Sequence, residues 1–246
     1  MPDGQNSQSD AREILRKMYE LRMIRTWYRD NPEGWRLISG LWSPLYIQLR
    51  VLQSYPDLLR LVGERMAAMI RAEVPEATQL VGVAFAGIPI SVAASLAGNI
   101  PSAMTRKLPG VRSIEDFDKA LAEYGEHALV EGELCSGDCP VIVDDLVSRF
   151  DSKLIAAEQV MREVKRRNLE NVTCKHVAVV FDREQGAQEA AEKHGMSLHA
   201  LIRFRSQGLD WLGEFMSPRE HEVIREYLEN SEAFQTETVQ RELIEE

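Results

Sequence analysis

The stretch of sequence that decides the fold is Val141-Ile142-Val143-Asp144-Asp145-Leu146-Val147-Ser148-Arg149-Phe150-Asp151-Ser152. Its first three residues form an apolar, β-branched run, which predicts a buried parallel strand, and a polar turn and a helical pattern follow. Ligands of open α/β sheets bind beyond the carboxyl ends of the strands, so Asp144 and Asp145 stand where a ligand is expected. The two carboxylates can accept hydrogen bonds from vicinal hydroxyls and can also bind a hard cation such as Mg²⁺.

Strands and helices alternate regularly on both sides of this stretch. The predicted strands cover residues 80–85, 101–105, 141–143, 177–181 and 198–202, and the predicted helices cover residues 56–72, 90–97, 114–124, 153–168 and 188–194. Alternation at this spacing is typical of an α/β fold with a doubly wound, mainly parallel sheet that is flanked by helices.

The same pattern divides the chain into four parts. They are a disordered tail (residues 1–9), an N-terminal element of helices and short strands (10–79), the α/β core (80–216) and a C-terminal helix with an acidic tail (217–246). Within the core, residues 108–128 form a polar insert, which we expect to be mobile and helical from Ile114 to Tyr124.

The two ends of the chain carry local signals of their own. Asp10-Ala11-Arg12-Glu13 resembles a capping box, and the helix that it begins is expected to end near Ile24-Arg25. Two short strands are predicted at residues 36–40 and 45–49, around a turn that contains Gly and Pro. Near the C-terminus, Ser217-Pro218-Arg219-Glu220 predicts another helix start.

The composition excludes several classes of protein. The chain has 246 residues, of which 44% are hydrophobic and 28% charged, as in ordinary globular proteins. The formal net charge of −10 argues against general nucleic-acid binding, and no apolar window is long enough to span a bilayer. The N-terminus is polar and lacks the apolar core of a secretion signal, so we expect a cytoplasmic protein that binds neither nucleic acid nor membrane.

Three cysteines, Cys135, Cys139 and Cys174, fit a reducing compartment without a disulfide framework. Together with His176 they can also be read as four zinc ligands. Their spacing does not match the common paired-cysteine motifs, so the sequence favours cysteines that flank strands, with zinc as the alternative.

Five segments, in the expected order, resemble a known enzyme family. The acidic stretch is similar to the ribose-phosphate signature of the phosphoribosyltransferases, in which an apolar strand ends in two acids and a turn rich in Thr and Gly follows. Four more segments resemble the orotate phosphoribosyltransferases in particular. They are Leu37–Ile47 (pyrimidine site), Gly82–Pro89 (pyrophosphate loop), Arg106-Lys107 (start of the mobile catalytic loop) and Phe181–Ala187 (Asp-Arg-x-x-Gly motif).

This resemblance implies a phosphoribosyltransferase-like fold and a step of UMP biosynthesis. A phosphoribosyl group would pass from phosphoribosyl pyrophosphate to a pyrimidine base, converting orotate to orotidine monophosphate. The resemblance also implies Mg²⁺ as the cofactor, with Asp144 and Asp145 at the metal and at the ribose hydroxyls. The family pattern further implies a homodimer whose mobile loop closes across the interface.

The other site residues that the resemblance implies fall into three groups. They are Arg106, Lys107, Ala86 and Gly87 for the pyrophosphate, Ser148, Arg149, Asp151 and Ser152 for the 5-phosphate, and Ser148, Arg183 and Tyr46 for the base. Arg183 is expected to pair with the orotate carboxylate in a bidentate fork. Lys107 and His127 are the expected catalytic side chains of the mobile loop.

The chain departs from the family pattern at several functional positions, and Ala86 and Ile38 stand where some members carry Lys. Arg149-Phe150-Asp151 stands where small residues and Gly are usual, so the charge of Asp151 would oppose a phosphate, and Arg149 could compensate by pairing with it. In the lengthened loop, Ala122 stands where the family has a lysine, and Lys119 or His127 is the candidate replacement.

Two functions therefore remain open. One is an active phosphoribosyltransferase of the orotate type, and the other is a non-catalytic relative that acts as a nucleotide sensor or as a scaffold for a protein partner. The altered turn favours the second. Asp144, Asp145, Ser148 and Arg183 favour the first, because a scaffold has no physical need for all four, and the sequence therefore favours the enzyme.

Overall fold

The computed structural model describes residues 3–37, 40–124 and 127–245. It divides into two compact units, one containing Met1–Leu52 and Ile202–Glu246 and the other containing Gln53–Leu201. We call them the terminal unit and the sheet unit. No helix in the described ranges combines the length and the apolar composition needed to cross a bilayer.

The secondary structure follows in chain order. The helices are α1 (Asp3–Glu20), α2 (Pro56–Glu73), α3 (Gly87–Gly98), α4 (Ile114–Tyr124), α5 (Asp151–Arg166), α6 (Ala187–Lys193), α7 (Leu209–Leu212), α8 (Pro218–Glu229) and α9 (Glu237–Glu245). The strands are β1 (Ile24–Thr26), β2 (Trp35–Arg36), β3 (Trp42–Ser43), β4 (Leu45–Ile47), β5 (Gln79–Gly82), β6 (Ser102–Thr105), β7 (Val130–Glu131), β8 (Pro140–Val147), β9 (His176–Asp182) and β10 (Ser197–Arg203).

The sheet unit is built on a six-stranded sheet with the order β10-β9-β8-β5-β6-β7. β8 pairs in parallel with β5 and β9, and β5 pairs in parallel with β6, while the edge strand β7 is antiparallel to β6. Val141, Ile142 and Val143 in the centre have no exposed surface, as expected for parallel strands that are covered on both faces. The predicted α/β fold with a mainly parallel sheet is confirmed.

Strand β8 is longer than the sequence predicted, so Asp144 and Asp145 lie within it instead of after it. Its pairing with β5 stops at Val143, but its pairing with β9 continues to Val147. The apolar run in the sequence marks only the part of β8 that pairs with both β5 and β9. The rest of the strand forms because it pairs with β9. Beyond Val143, β8 continues past the end of its pairing with β5, at the carboxyl edge where sheets of this type bind ligands.

The polar insert has a small hydrophobic cluster. α4 has the predicted bounds, and its Phe117 has no exposed surface. Phe117 packs with Leu108 and Leu129, and Ile155 of α5 packs against the three of them. The described part of the insert is therefore attached to α5. Residues 125–126 of the insert lie outside the described residues.

The units divide the chain at other places than the sequence analysis did, which set boundaries at residues 79 and 216. α2 belongs to the sheet unit because it packs against α3 and β9. Residues 202–216 belong with the N-terminal residues, since α7 packs against α1.

Two local predictions for the first helix are wrong. α1 begins at Asp3, so residues 3–9 are helical and Asp10–Glu13 lies inside the helix instead of capping it. A helix extends at low cost once it is nucleated, and no proline interrupts this segment. The helix ends at Glu20, and Ile24-Arg25 lies in β1, where it pairs with β4. A positive φ of 60° at Arg22 ends the helical path between them.

The C-terminal part of the terminal unit begins as the sequence predicted. Ser217 and Glu220 form a capping box at the start of α8. Glu220 is 2% exposed, and its carboxylate accepts hydrogen bonds from the hydroxyls of Tyr19 and Thr26. The acidic end of the chain contains α9, which buries Leu243.

Candidate active site

Four neighbouring strands end at the carboxyl edge of the sheet, and each is followed by predicted site residues. β9 leads into Arg183, and β8 carries the acid pair and leads into Ser148. β5 leads into the turn before Gly87, and β6 leads into Arg106-Lys107. Parallel pairing of these four strands brings the segments to one edge of the sheet unit.

Gly87 lies directly against the acid pair. It is the first residue of α3, and a Cβ atom added to it would lie 2.3 Å from the carbonyl oxygen of Val143 and 3.1 Å from Oδ1 of Asp144. Real side chains do not tolerate the first distance, so this approach of α3 to β8 requires glycine. Gly87, in the segment that the resemblance assigns to pyrophosphate, therefore lies close to Asp144, one of the acids that it assigns to ribose.

Asp144 forms a buried ion pair with Lys153, a residue that the sequence analysis did not include in the site. Lys153 Nζ lies 2.5 Å from Asp144 Oδ2, and the two side chains are 3% and 9% exposed. The same ammonium donates to the carbonyl oxygen of Leu146 at 2.8 Å and to Ser152 Oγ at 3.2 Å. Asp144 Oδ1 accepts a hydrogen bond from the backbone N–H of Asp145 at 2.9 Å. Both oxygens of Asp144 thus have partners inside the protein.

The sequence contained a signal for this ion pair. Lys153 stands on the buried stripe of α5, in helical spacing with Ala156, Ala157 and Val160. A lysine on such a stripe is almost never buried without a partner, so its position predicts a buried acid close by.

Asp145 has the opposite environment within the same strand. Its side chain is half-buried, and Oδ1 accepts a hydrogen bond from the backbone N–H of Leu146 at 2.7 Å. Burial raises the pKa of Asp145 well above the ordinary carboxyl range, and the adjacent charge of Asp144 raises it further, although Lys153 opposes the shift. A carboxyl group with a raised pKa at a ligand-binding edge is typical of functional sites.

The turn after β8 is built around Phe150. This side chain is 2% exposed and belongs to the hydrophobic core, while Arg149, Asp151 and Ser152 are exposed and Ser148 is half-buried. Phe150 has φ −95°, a conformation that needs no glycine. Its ring packs in the core. The large side chain at this position therefore does not cover the outer side of the turn.

The pyrophosphate side of the edge lies after β5 and β6. The peptide bond between Ala84 and Phe85 is cis, the Ala84 N–H donates to Thr105 Oγ1 at 3.2 Å, and Ala86 directly precedes α3. Arg106 and Lys107 are both exposed, and Arg106 Nη1 lies 3.4 Å from Glu131 Oε1.

The remaining loop residues are less closely connected to this edge. Ala122 lies in α4, His127 is exposed, and Lys119 lies on an outer position of α4. The side-chain contacts described for these residues do not join them to the acid pair, so the choice between Lys119 and His127 stays a prediction.

Arg183 follows β9 in a well-defined turn. Its side chain is 7% exposed, and its backbone N–H donates to the carbonyl oxygen of Val147 at 3.0 Å. Asp182 Oδ1 accepts from the N–H of Glu184 at 2.8 Å, and Gly186 has a positive φ of 94° at the start of α6. The Asp-Arg-x-x-Gly motif is thus a turn that fixes Arg183 beside the end of β8.

Tyr46 belongs to the terminal unit. It lies in β4, opposite Arg25 of β1, and its ring stacks on Trp35 with centroids 5.8 Å apart. Residues 38–39 of the segment Leu37–Ile47 lie outside the described residues. The role of Tyr46 at the base therefore stays a prediction.

Known proteins resemble this chain in sequence and in fold. The chain is 32% identical over 166 residues to the orotate phosphoribosyltransferase of Methanocaldococcus jannaschii. The aligned residues cover 68% of this chain and 82% of that protein. It is 28% identical over 214 residues to the orotate phosphoribosyltransferase of Caenorhabditis elegans, with 86% and 83% covered.

A solved structure shares the fold. The orotate phosphoribosyltransferase of Mycobacterium tuberculosis in complex with 5-phospho-α-D-ribosyl 1-diphosphate matches with a TM-score of 0.53 and 20% identity, over 79% of this chain and 89% of that one. No protein-family model matches the chain. The identity to the Methanocaldococcus protein over most of its length, together with the acid pair at the carboxyl edge, identifies the chain as a member of the orotate phosphoribosyltransferase family.

Proposed function

We propose that this chain transfers the phosphoribosyl group of phosphoribosyl pyrophosphate to orotate, forming orotidine monophosphate and releasing pyrophosphate. The proposal rests on family membership and on one observation. The acid pair lies in the last part of β8, and the turn before Gly87, Arg106-Lys107 and Arg183 follow the neighbouring strands β5, β6 and β9 at the same edge of one sheet.

The reaction breaks the bond between the anomeric carbon of ribose and a pyrophosphate oxygen, and it forms a bond from that carbon to a pyrimidine nitrogen. Positive charge develops on the ribose and negative charge on the leaving pyrophosphate. Preorganised cations and N–H groups at the pyrophosphate are therefore expected to supply the largest catalytic contribution. The exposed side chains of Arg106 and Lys107 are the groups of this chain that suit this role.

We assign different roles to the two acids. Asp144 already has the Lys153 ammonium at 2.5 Å, so a second cation on this carboxylate would be repelled, and Asp144 instead fixes the strand beside Gly87. Asp145 is the acid that would accept from the ribose hydroxyls and hold Mg²⁺, for which carboxylate oxygen is a suitable ligand. When bound, Mg²⁺ supplies charge neutralisation at the pyrophosphate.

The 5-phosphate would bind at the turn before α5. Ser148, Ser152 and the first N–H groups of this 16-residue helix offer donors, and the exposed Arg149 offers a guanidinium for a charge-assisted pair. Arg149 compensates for the charge of Asp151 in this arrangement.

The base would bind next to Arg183. The guanidinium is largely buried beside the end of β8, so it can form a bidentate pair with the orotate carboxylate in a poorly hydrated setting. Ser148 is the second polar group on this side, and Tyr46 is the residue that the family resemblance alone assigns to the base.

We also propose that the protein is cytoplasmic and forms a homodimer. In its mobile loop, Lys119 or His127 would take the place of the lysine that the family has there. These assignments rest on the family resemblance. Sedimentation of the purified chain at several concentrations tests the dimer, and a monomer at all of them would contradict it.

The test of the function is a turnover assay with orotate, phosphoribosyl pyrophosphate and Mg²⁺ that follows the formation of orotidine monophosphate. We expect turnover by the wild type and a loss of roughly 100-fold or more in kcat/KM for Asp145→Asn. Asp57→Asn, a change at an exposed pair with Arg60, is the matched control and should leave turnover unchanged. Absence of product with a folded wild type would contradict the proposal.

A second assay tests the role of Arg183. Arg183→Lys keeps the charge but loses the planar fork, so KM for orotate should rise by roughly 10-fold or more while the affinity for phosphoribosyl pyrophosphate stays close to that of the wild type. An equal loss of affinity for both substrates would contradict a role at the base.

The non-catalytic alternative is favoured by one observation, the ion pair that occupies Asp144. It predicts binding of orotidine monophosphate without any turnover. Calorimetry with the nucleotide, run beside the turnover assay, therefore separates the two functions.

A further inference from the structure

A cluster of metal-ligating side chains lies at the amino edge of the sheet, opposite the candidate active site. Cys139 directly precedes β8, His176 is the first residue of β9, and Glu76 lies between α2 and β5. One ligand atom from each of the three lies within 4.8 Å of the others. Asp144 lies five residues further along β8 from Cys139, about 16 Å away at the usual rise of a strand.

A relay of hydrogen bonds determines which nitrogen of His176 carries the proton. Nδ1 of His176 lies 3.2 Å from Nε2 of His199, and Nδ1 of His199 lies 2.6 Å from a carboxylate oxygen of Glu73. A carboxylate oxygen accepts, so the tautomer of His199 that fits both contacts donates from Nδ1 and accepts at Nε2. His176 then donates from Nδ1, and its Nε2 carries a lone pair. Metal-binding histidines commonly have such a carboxylate-backed partner on the other nitrogen.

The lone pair on Nε2 faces further acceptors. Nε2 of His176 lies 3.4 Å from Oε1 of Glu76, and the sulfur of Cys139 belongs to the same cluster. Two acceptors that face each other can both bind a cation that lies between them. In a tetrahedral zinc site with nitrogen and oxygen ligands at about 2.1 Å, those two atoms are about 3.4 Å apart. The observed spacing therefore already fits a shared ion.

The backbone around Cys139 is fixed on both sides. Its N–H donates to Thr78 Oγ1 at 2.9 Å, and its carbonyl oxygen accepts from the Thr78 N–H at 3.2 Å. Thr78 Oγ1 in turn donates to Asp138 Oδ1 at 2.8 Å. Cys139 is buried, whereas the Glu76 side chain is 57% exposed and gives an ion a route from solvent.

We propose that Glu76, Cys139 and His176 bind a Zn²⁺ ion, with water as the fourth ligand, and that the ion stabilises the sheet unit. It would tie the turn before β5 to the starts of β8 and β9. A thiolate, an imidazole and a carboxylate suit a cation of intermediate softness, whereas Mg²⁺ prefers oxygen ligands alone. The ligand set differs from the one considered for the sequence, since Glu76 takes part and Cys135 and Cys174 do not.

Cobalt is the probe for this site, because Co²⁺ bound to a thiolate gives a charge-transfer absorption that oxygen and nitrogen ligands alone do not give. The full chain is stripped with a chelator and titrated with Co²⁺. We expect the absorption to saturate near one ion per chain and to disappear when Zn²⁺ is added. It should be lost in Cys139→Ser and in His176→Gln, and it should persist in Cys135→Ser, which changes an exposed cysteine.

Thermal unfolding provides a second readout. Zn²⁺ should raise the Tm of the wild type and of Cys135→Ser, and it should leave the Tm of Cys139→Ser unchanged, with circular dichroism showing that each variant is folded. The proposal is overturned if the folded wild type gives no charge-transfer absorption, if Cys139→Ser keeps it, or if Zn²⁺ raises the Tm of Cys139→Ser as much as that of the wild type.

Discussion

Two buried carboxylates lie near the two ends of helix α5, Asp144 of β8 near its start and Glu163 of α5 itself near its end. Their charges are balanced in different ways. Near its start, Lys153 alone pairs with Asp144 at the carboxyl edge of the sheet. Near its end, Glu163 has no exposed surface and pairs with both Arg166 and Arg167. The first carboxylate lies in the candidate active site, and the second binds the backbone N–H of Leu129, directly after the insert.

Both carboxylate oxygens of Glu163 have partners in the protein. Arg166 Nη2 and Arg167 Nε each lie 2.5 Å from Glu163 Oε1, and Oε2 accepts from the backbone N–H of Leu129 at 3.0 Å. Burial alone would raise the pKa of Glu163, but these hydrogen bonds outweigh it and lower the pKa to about 2. Arg167 also donates to the carbonyl oxygen of Val130 at 3.0 Å, so the cluster joins α5 to β7.

The Asp144 pair leaves its neighbour unbalanced. Lys153 supplies one positive charge beside two adjacent acids, Asp144 and Asp145. Burial raises the pKa of Asp145, and the charge of Asp144 raises it further. The comparison shows how to separate the two kinds of buried acid. A structural carboxylate has its charge fully compensated, whereas a site carboxylate keeps an unfavourable charge that a ligand can relieve.

The largest effect is expected for Lys153→Met, which leaves the Asp144 charge buried without its cation. The free energy of unfolding at pH 7, measured with urea, should fall by about 3–5 kcal/mol. Lys165→Met, at an exposed position of the same helix, is the control and should change it by less than about 0.5 kcal/mol.

A second substitution sharpens this result. Asp144→Asn in the Lys153→Met background removes the uncompensated charge and should restore part of the lost stability. If Lys153→Met costs less than about 1 kcal/mol, the ion pair does not balance a buried charge and the comparison with Glu163 fails.

A smaller effect is expected for Glu163→Gln, because the amide keeps the shape but weakens the hydrogen bonds from both arginines. The free energy of unfolding at pH 7 should fall by about 2 kcal/mol. The stability that the wild-type carboxylate contributes is present above its ordinary unfolded pKa of about 4.3. It is lost as the pH falls towards the folded value of about 2.

Wild type and Glu163→Gln should therefore converge in stability across this acid range. Glu158→Gln is the matched control, since Glu158 forms a pair with Arg162 on the more exposed side of the same helix. It should cost less than about 0.5 kcal/mol. A constant difference between Glu163→Gln and the wild type from pH 5 to pH 2 would contradict the low pKa.

The smallest effect, with the opposite sign, is expected for Asp145→Asn. Because the folded pKa of Asp145 is raised, its contribution to stability is fully present below the unfolded pKa and is lost as the pH rises through the folded pKa. At pH 7 the uncharged amide should therefore raise the free energy of unfolding by about 1 kcal/mol.

The gain from Asp145→Asn should shrink as the pH is lowered towards 4. Asp151→Asn, at an exposed carboxylate in the next turn, should give no such trend. If Asp145→Asn destabilises the chain at pH 7, then Asp145 is balanced like Glu163, and the distinction between the two kinds of acid does not hold.

Local signals predicted the elements that depend on local interactions. α4 has the predicted bounds, and the backbone N–H of Asp116 donates to Ser113 Oγ at its start. The capping box at Ser217 is also present. The central strands were visible because complete burial leaves a continuous apolar run.

The features that the sequence did not predict depend on distant partners. The extension of β8 to Val147 requires β9, and the strand at Ile24-Arg25 requires β4. Lys153 was overlooked because a charged residue on a helix is usually solvated, and its acidic partner precedes the helix. Cys139 and His176 were already considered together as zinc ligands, but Glu76 lies far from both in the chain, so only the fold brings it to them.

The buried ring of Phe150 has a consequence for ligand affinity that concerns conformational entropy. A glycine-rich turn samples many backbone conformations and must lose that freedom when an anion binds. Here the ring is held in the core at 2% exposure, so the packing of Phe150 restrains the backbone of the turn before α5. An anion that binds at this turn therefore orders less backbone, and part of its affinity comes from the side chain that faces away from it.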